Sequence, residues 1–139
     1  MATVTREIIV AANPAEVWAI IGDFADGPSR MAPGFVTETT VRAPGLRVAT
    51  FADGTVLEER LITLDDAERR FVYSIVGGSV TPEHNNASMQ VFDEGDGQSR
   101  FVWRHDVLPA ALADAFAPKM EQGLAVFKRT VEAAAASRD

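Results

Sequence analysis

One carboxylate stands between two leucines in the segment GTVLEERLITLDD, residues 54–66. The segment alternates like a β-strand, so Leu57, Glu59 and Leu61 share the face that should point inward. A lone ionised carboxylate is costly in an apolar interior, so Glu59 must find a partner, retain water or become protonated. In a ligand pocket it could contact a hydroxyl, a ketone or a water, or move a proton. The competing hypothesis is a structural ion pair with Arg47 on the neighbouring strand.

His105 is the second side chain that could do acid–base chemistry. It alternates with Phe101 and Trp103 on one face of a predicted strand, so all three should point inward. Its imidazole could titrate near neutrality and pair with Glu59 or with a ligand. A lone histidine on an apolar face is more often structural, so catalysis by Glu59 and His105 is a hypothesis beside simple ligand contact. His84, at the start of another strand, is expected at the rim.

The composition sets several chemistries aside. The chain has no cysteine, which excludes a disulfide framework, a thiolate metal site and a cysteine nucleophile. Its two histidines are far apart and no carboxylate cluster accompanies them, so we expect no metal and no cofactor. The glycine-rich stretch at 94–99 separates two predicted strands and precedes no helix, so it is a turn and not a phosphate-binding loop.

The charge and the length narrow the class of protein. The 139 residues carry a net charge of −7, which disfavours binding to nucleic acid or to an anionic membrane surface. No apolar run reaches membrane-spanning length, and the N-terminus lacks the pattern of a signal peptide. We therefore expect a cytoplasmic protein, with residues 1–139 forming one domain that exists as a monomer or a weak homodimer.

The remaining sequence supplies the elements that position these side chains. Residues 3–11 are rich in β-branched side chains and predict a strand. Asn13, Pro14 and Glu16 have the spacing of a helix start with a capping box, and the Gly-Pro pair at 27–28 leaves room for a second short helix. Short turns then separate six more predicted strands, which leaves no room for crossover helices and indicates an antiparallel sheet. These strands are predicted at 35–42, 46–51, 55–64, 69–76, 84–93 and 99–107.

A long amphipathic helix is predicted after Pro109. Apolar side chains recur every three or four residues along it, which is the spacing of one buried stripe. Pro118 lies inside the pattern and should kink the helix or mark the start of its main part. This helix is the only long cover for the apolar face of the sheet, and a strongly curved sheet around one helix leaves a cavity between them. The stripe comprises Leu112, Phe116, Met120, Leu124, Phe127 and Val131.

The order of elements and three motifs resemble the helix-grip superfamily, the START or Bet v 1-like (SRPBCC) domains. The motifs are PAEVWAIIGDF at 14–24, GTVLEERLITLDDAERRFVYSIVGG at 54–78 and VWRHDVLP at 102–109. The sequence resembles most the bacterial polyketide cyclase/dehydrase-like branch, which is similar to the plant abscisic-acid receptors. The resemblance implies an α+β fold in which a curved seven-stranded antiparallel sheet wraps around a long C-terminal helix, with one or two short helices between strands 1 and 2.

The resemblance also implies a cavity for a hydrophobic ligand between the sheet and the C-terminal helix. Glu59 matches a pocket carboxylate of the hormone receptors, whereas Thr37 stands where they hold the hormone's carboxylate with a lysine. Tyr73 and Ile75 match wall positions, and Asn85 stands where many relatives have a tyrosine. A carboxylate ligand held by a buried lysine is therefore disfavoured. The expected ligand-binding residues are Thr37, Phe51, Leu57, Glu59, Leu61, Tyr73, Ile75, Asn85, Ala87, Trp103, His105, Phe116, Met120 and Gly123.

Three functions fit the expected cavity. The leading hypothesis is that the chain binds a small hydrophobic molecule of polyketide-like or aromatic type, which it could also cyclise or dehydrate through Glu59 and His105. A non-catalytic carrier or sensor would use the same cavity without turnover, with a mobile rim at 28–34 and 79–86. A protein-binding member would have a filled interior and an exposed apolar patch instead.

Overall fold

The computed structural model describes residues 1–137. Within them lie seven β-strands and three α-helices, in the order that the sequence predicts. The elements are β1 (Ala2–Val10), α1 (Pro14–Ile21), α2 (Gly27–Met31), β2 (Val36–Ala43), β3 (Leu46–Phe51), β4 (Val56–Asp65), β5 (Arg70–Gly78), β6 (His84–Gly95), β7 (Gln98–Leu108) and α3 (Leu112–Ala136).

The strands form one antiparallel sheet in the order β1-β7-β6-β5-β4-β3-β2. β1 pairs with β7 along its whole length, from Ala2 opposite Val107 to Val10 opposite Ser99, so the first strand lies beside the last. The other strands follow one another as neighbours, as their short turns require. The sheet curves around α3, and the predicted helix-grip α+β fold is confirmed.

The connection between β1 and β2 forms as its sequence predicts. The Asn13 side chain accepts a hydrogen bond from the backbone N–H of Glu16 and donates one to the Glu16 carboxylate, so Asn13 caps α1 with Pro14 in its first turn. The short helix α2 follows and buries Gly27 and Met31 against the core. The connection therefore packs inward and can contribute to the interior of the molecule.

Helix α3 turns its predicted apolar stripe toward the sheet. It continues through Pro118, which is exposed, so the alternative that Pro118 marks the start of the main helix is wrong. Leu112 at the start of α3 is only half-buried. The buried positions are Phe116, Met120, Gly123, Leu124, Phe127 and Val131.

Candidate functional site

Two adjoining chambers lie between α3 and the concave face of the sheet. The large chamber has a volume of about 250 Å³, and the small chamber has a volume of about 50 Å³. The small chamber is covered on one side by the connection between β1 and β2. The two chambers share five lining residues, which are Phe35, Phe51, Glu59, Tyr73 and Trp103.

Most residues expected from the sequence line one of these chambers. The sheet supplies side chains from β3, β4, β5 and β7, and α3 supplies the facing wall. Gly123 lines the small chamber, and a Cβ atom there would lie 3.6 Å from the rings of Phe35 and Trp103. The expected residues that line the large chamber are Phe51, Leu57, Glu59, Tyr73, Ile75, Trp103, His105, Phe116 and Met120.

Thr37 and Leu61 lie away from both chambers, contrary to expectation. β2 begins with Val36 buried, so alternation turns Thr37 outward, where its exposed hydroxyl donates to the carbonyl of Thr50. Leu61 remains on the inner side of β4 but is only half-buried and packs against the edge of the core. β3 has already begun at Leu46, opposite Arg60, so Leu61 lies beyond the stretch of sheet that walls the cavity.

Asn85 and Ala87 are buried but are also absent from the chamber walls. Ala87 pairs with Tyr73 on one side and with His105 on the other, and these larger side chains form the wall there. The ladder between β5 and β6 ends at the Tyr73–Ala87 pair. Beyond it the side chain of Asn85 bridges the two strands, because its Oδ1 accepts a hydrogen bond of 2.8 Å from the backbone N–H of Ile75.

The carboxylate between two leucines is a member of a buried ion pair. Glu59 Oε1 accepts a hydrogen bond of 2.9 Å from Arg47 Nε, and the two side chains are 6% and 3% exposed. Arg47 lies directly opposite Glu59 in the β3–β4 register. The ion pair that the sequence left as an alternative is therefore present, and Glu59 lines both chambers as well.

Arg47 has further partners that hold its charge within the wall. Its Nη1 donates to the carbonyl of Phe24 at 3.1 Å. Its guanidinium carbon also lies 4.9 Å from the ring centre of Phe71 and 5.5 Å from that of Tyr73. A desolvated guanidinium over an aromatic face gains additional stabilisation. We refer to Arg47, Glu59 and the Phe24 carbonyl as the charged cluster.

A second group of polar side chains carries no formal charge. Asn85 Nδ2 lies 3.0 Å from His105 Nδ1, and His105 Nε2 lies 3.4 Å from the Tyr73 hydroxyl. Trp103 Nε1 donates to the same hydroxyl at 3.3 Å. We refer to Asn85, His105, Tyr73 and Trp103 as the neutral cluster. The structure gives no hydrogen bond between His105 and Glu59 among the described residues, so the expected pairing of these two groups is not observed.

Burial keeps both titratable members of the neutral cluster uncharged at neutral pH. Loss of hydration disfavours the imidazolium and lowers the pKa of His105 to about 4, although Asp106 acts in the opposite direction. Burial also raises the pKa of the Tyr73 hydroxyl far above its ordinary value, and the nearby charge of Glu59 raises it further. The expectation that His105 titrates near neutrality is therefore wrong.

Lys119 closes the rim of the large chamber from α3. Its Nζ lies 2.6 Å from Asp53 Oδ2 and 3.3 Å from Thr55 Oγ1, so it ties the helix to the turn between β3 and β4. The hydrogen bond from Lys119 holds the pKa of Asp53 well below its usual range. The ammonium also lies 5.5 Å from the ring centre of Phe51. The rim is therefore polar, in contrast to the interior.

Two parts of the cavity wall were not among the ligand-binding residues expected from the sequence. Lys119 could have been found from helical spacing, because it follows Leu112 and Ala115 at intervals of three and four on the face that lines the large chamber. The β1–β2 connection was expected only as the rim of a carrier at 28–34, and α2 is too short for a helical period to predict which of its side chains form the wall. Its lining residues are Ile21, Gly27, Pro28, Met31 and Ala32.

Two negative findings concern residues 1–137. In this part of the chain no group of histidine or acidic side chains is arranged to hold a metal ion. Nor is any helix there long and apolar enough to cross a membrane.

Comparison with known proteins adds a family and a set of related folds. The model of the family described as polyketide cyclase / dehydrase and lipid transport matches residues 1–132. No curated protein sequence matches the chain. A START superfamily protein from Mycobacterium smegmatis superposes with a TM-score of 0.73 at 14% identity, covering 99% of both chains. The predicted START or Bet v 1-like superfamily is confirmed, while the further similarity to abscisic-acid receptors stays a prediction.

Two related structures are of characterised proteins. One is the di-domain ARO/CYC protein BexL of the BE-7585A biosynthetic pathway, with a TM-score of 0.77 and 18% identity over 95% of this chain and 47% of that one. The other is norcoclaurine synthase from Thalictrum flavum in complex with dopamine and hydroxybenzaldehyde. It has a TM-score of 0.71 and 15% identity over 99% of this chain and 88% of that one. At these identities the similarity shows the shared fold alone.

Proposed function

The chain belongs to the polyketide cyclase / dehydrase and lipid transport family, and we propose that it binds one small, mostly apolar molecule in the large chamber. The observation that carries the proposal is the cavity itself, about 250 Å³ of space walled by aromatic and aliphatic side chains with a few polar groups among them. Sites for small molecules have this composition. An apolar cavity of about 150 Å³ in another protein holds benzene, so this chamber has room for roughly two rings.

Relatives of the same fold agree with a ligand of this class. Norcoclaurine synthase was solved with dopamine and hydroxybenzaldehyde, which are small aromatic molecules. BexL is an ARO/CYC protein of a biosynthetic pathway. We carry over only the chemical class, a small molecule of aromatic or polyketide-like type, because the described wall of this chain has its own set of polar groups.

We propose binding without turnover rather than cyclisation or dehydration. A proton shuttle through Glu59 and His105 would require both groups to leave their present partners. Glu59 is held by Arg47, and the Nδ1 atom of His105 is held by Asn85. The low pKa of His105 also leaves it without a proton to give from an imidazolium at neutral pH. A protein-binding role with a filled interior is supported least, since the chamber is open.

The experiment compares uptake of a neutral two-ring fluorescent probe, 1-naphthylamine, by wild type and two variants of the chain. Wild type should bind one equivalent with a rise in probe emission. Ile75→Phe places a ring in the large chamber and should lose most of that affinity, whereas Val41→Phe adds the same ring at an exposed position of β2 and should keep it. Circular dichroism checks that each variant is folded.

Native mass spectrometry of the purified protein, followed by extraction, would identify a molecule that co-purifies with it. Failure of wild type to take up the probe, or equal uptake by wild type and Ile75→Phe, would contradict binding in the large chamber. Conversion of an extracted molecule into a product by the purified protein would contradict the proposal of binding without turnover.

A further inference from the structure

The hydrogen bonds of the neutral cluster are ordered by one group that can only donate, the backbone N–H of Ile75. It lies 2.8 Å from the side-chain oxygen of Asn85. Because a backbone N–H cannot accept, this contact fixes which end of the Asn85 amide faces β5. The amide nitrogen must then face the other way, where it also lies 3.3 Å from the carbonyl oxygen of Asp106. Both contacts agree on one orientation of the amide.

The orientation of Asn85 determines the tautomer of His105. Asn85 Nδ2 can only donate, so His105 Nδ1, 3.0 Å away, must accept. A neutral imidazole that accepts at Nδ1 carries its hydrogen on Nε2. That hydrogen points toward the Tyr73 hydroxyl at 3.4 Å. The opposite tautomer would set an N–H of His105 against the N–H of Asn85.

The Tyr73 oxygen therefore accepts hydrogen bonds, and the hydrogen of its own hydroxyl has no acceptor among the neighbouring groups that the structure describes. His105 Nε2 and Trp103 Nε1, at 3.4 and 3.3 Å, both donate to this oxygen. The hydroxyl hydrogen needs an acceptor of its own, and none is found for it within residues 1–137. Tyr73 is 2% exposed and lines both chambers, so a buried donor is available inside an apolar cavity. Such a donor is costly to leave unpaired.

The charged groups around the cavity disfavour an ionic ligand. Arg47 and Glu59 neutralise each other within the wall. Lys119 at the rim is engaged by Asp53. A carboxylate or an ammonium ligand would therefore enter the large chamber without a free counter-charge, and its desolvation would go uncompensated.

We propose that the ligand of the large chamber is an uncharged molecule of one or two rings bearing a carbonyl oxygen, and that the Tyr73 hydroxyl donates a hydrogen bond to that oxygen. The inference rests on the proposed function and narrows it to a ketone, aldehyde or quinone. Asn85 is a positioning residue in this arrangement, because it does not line the chamber and acts on the ligand only through His105 and Tyr73.

The test compares two probes of nearly equal shape, 2-acetylnaphthalene and 2-isopropenylnaphthalene. They differ in whether a C=O or a C=CH₂ group is attached to the ring. Binding is followed by tryptophan fluorescence in a Trp18→Phe background, in which Trp103 in the chamber wall is the remaining tryptophan. Wild type should prefer the ketone by about 5- to 10-fold, the ratio expected for one neutral hydrogen bond. Tyr73→Phe should bind both probes equally, with its affinity for the hydrocarbon retained.

Two further variants separate positioning from general disturbance. Asn85→Leu frees the His105 tautomer and should reduce the ketone preference while Tyr73 is intact. The ¹⁵N shifts of the His105 ring should show a hydrogen on Nε2 in wild type and a mixture of tautomers in that variant. Thr37→Val removes a hydroxyl on the outer surface, and it should keep the wild-type preference.

A measurement on wild type alone covers the case that a variant fails to fold. The carbonyl stretch of ¹³C-labelled 2-acetylnaphthalene should move to lower wavenumber in the complex than in hexane. An unshifted stretch, or equal binding of the two probes by wild type, would overturn this inference and leave the proposed function standing. Failure of both probes to bind would overturn the proposed function and this inference with it.

Discussion

The charged cluster and the neutral cluster lie in the same cavity wall but end differently. In the charged cluster Arg47 donates from Nε to Glu59 Oε1 and from Nη1 to the carbonyl of Phe24, so the two opposite charges are paired within the protein. In the neutral cluster each bond leads to the next until the Tyr73 hydroxyl, whose hydrogen remains to be donated. The charges of one cluster are paired within the wall, whereas the other cluster ends in a hydroxyl donor at the chamber.

The difference indicates a division of work between stability and recognition. Bringing a full charge into an apolar wall is tolerable only when its partner comes with it, so the charged cluster should matter mainly for folding. The neutral hydroxyl of Tyr73 costs less free energy to bury, so its hydrogen can stay without an acceptor until a ligand binds. Glu59 and His105, the residues that look most like catalysts in the sequence, are therefore already hydrogen-bonded to other side chains of the protein.

The largest expected effect comes from breaking the charged cluster. Arg47→Met leaves Glu59 buried without a counter-charge, and we expect the free energy of unfolding to fall by about 3–5 kcal/mol. Denaturant unfolding at neutral pH measures it. The double variant Arg47→Met with Glu59→Leu removes both charges and should recover most of the loss. If the double variant were no more stable than the single one, the pair would not be the self-contained unit described above.

Arg42 provides a control for this variant on the outer side of the sheet. It forms an ion pair with Glu58, but its side chain is 55% exposed. Arg42→Met should change the free energy of unfolding by no more than about 1 kcal/mol, since exposed pairs contribute little. A loss as large as that of Arg47→Met would mean that the cost comes from losing any arginine and not from burial.

The next effect concerns acid stability and tests the neutral cluster. The pKa of His105 is about 4 in the folded protein against an ordinary value of 6.5. As the pH falls below about 6.5, the unfolded chain takes up a proton that the folded protein refuses, so stability falls until about pH 4. The loss from this group should total roughly 3 kcal/mol. His105→Gln should remove that part of the slope in urea titrations between pH 7 and pH 4.

The other histidine supplies the matched control. His84 is exposed at the start of β6, so His84→Gln is the control for replacing a histidine outside the neutral cluster. Carboxylates also contribute to acid unfolding in every variant, and for that reason the informative quantity is the difference between the slopes. An unchanged slope in His105→Gln would show that the imidazole is not held neutral by burial.

The smallest expected effect lies at the rim, outside both clusters. Lys119→Met removes the contact to Asp53 without touching either cluster, and it should leave the midpoint of unfolding unchanged. Entry and release of 1-naphthylamine should both become roughly two- to fivefold faster in stopped-flow fluorescence, because one exposed ion pair no longer ties α3 to the turn between β3 and β4. Lys128→Met, which alters an ion pair with Glu132, is the control. Identical rates in all three proteins would mean that this rim contact does not limit access.

Simple periodicity predicts a large part of the wall. Alternation on β4 and β7 places Glu59, Trp103 and His105 inward. The phase of this alternation is well determined, because a shift of one residue would turn apolar side chains outward as well. The spacing of three and four on α3 places Phe116 and Met120 opposite them. These positions follow from element geometry alone, and the fold follows from the order of the elements.

The remaining features depend on contacts between elements. Alternation points Asn85 inward, but it does not reveal that β5 and β6 part beyond Tyr73 and that an amide fills the gap. The outward turn of Thr37 depends on the first residue of β2, which shifts the phase. Lys119 is overlooked because only apolar side chains were expected on the inner stripe of α3. Sequence patterns predict which face of a strand or helix is buried. The direction of a hydrogen bond depends instead on which donors and acceptors of different elements come into contact.

The amide of Asn85 has a consequence for how this protein could evolve. It replaces a missing rung of the sheet and also orients the ring that orients Tyr73, so a substitution there would disturb folding and selectivity in one step. Replacing Tyr73 by phenylalanine would alter only the end of the relay, because the ring beside Arg47 is kept. A lineage that acquired a new ligand could therefore lose the hydroxyl at position 73 long before it could tolerate change at position 85.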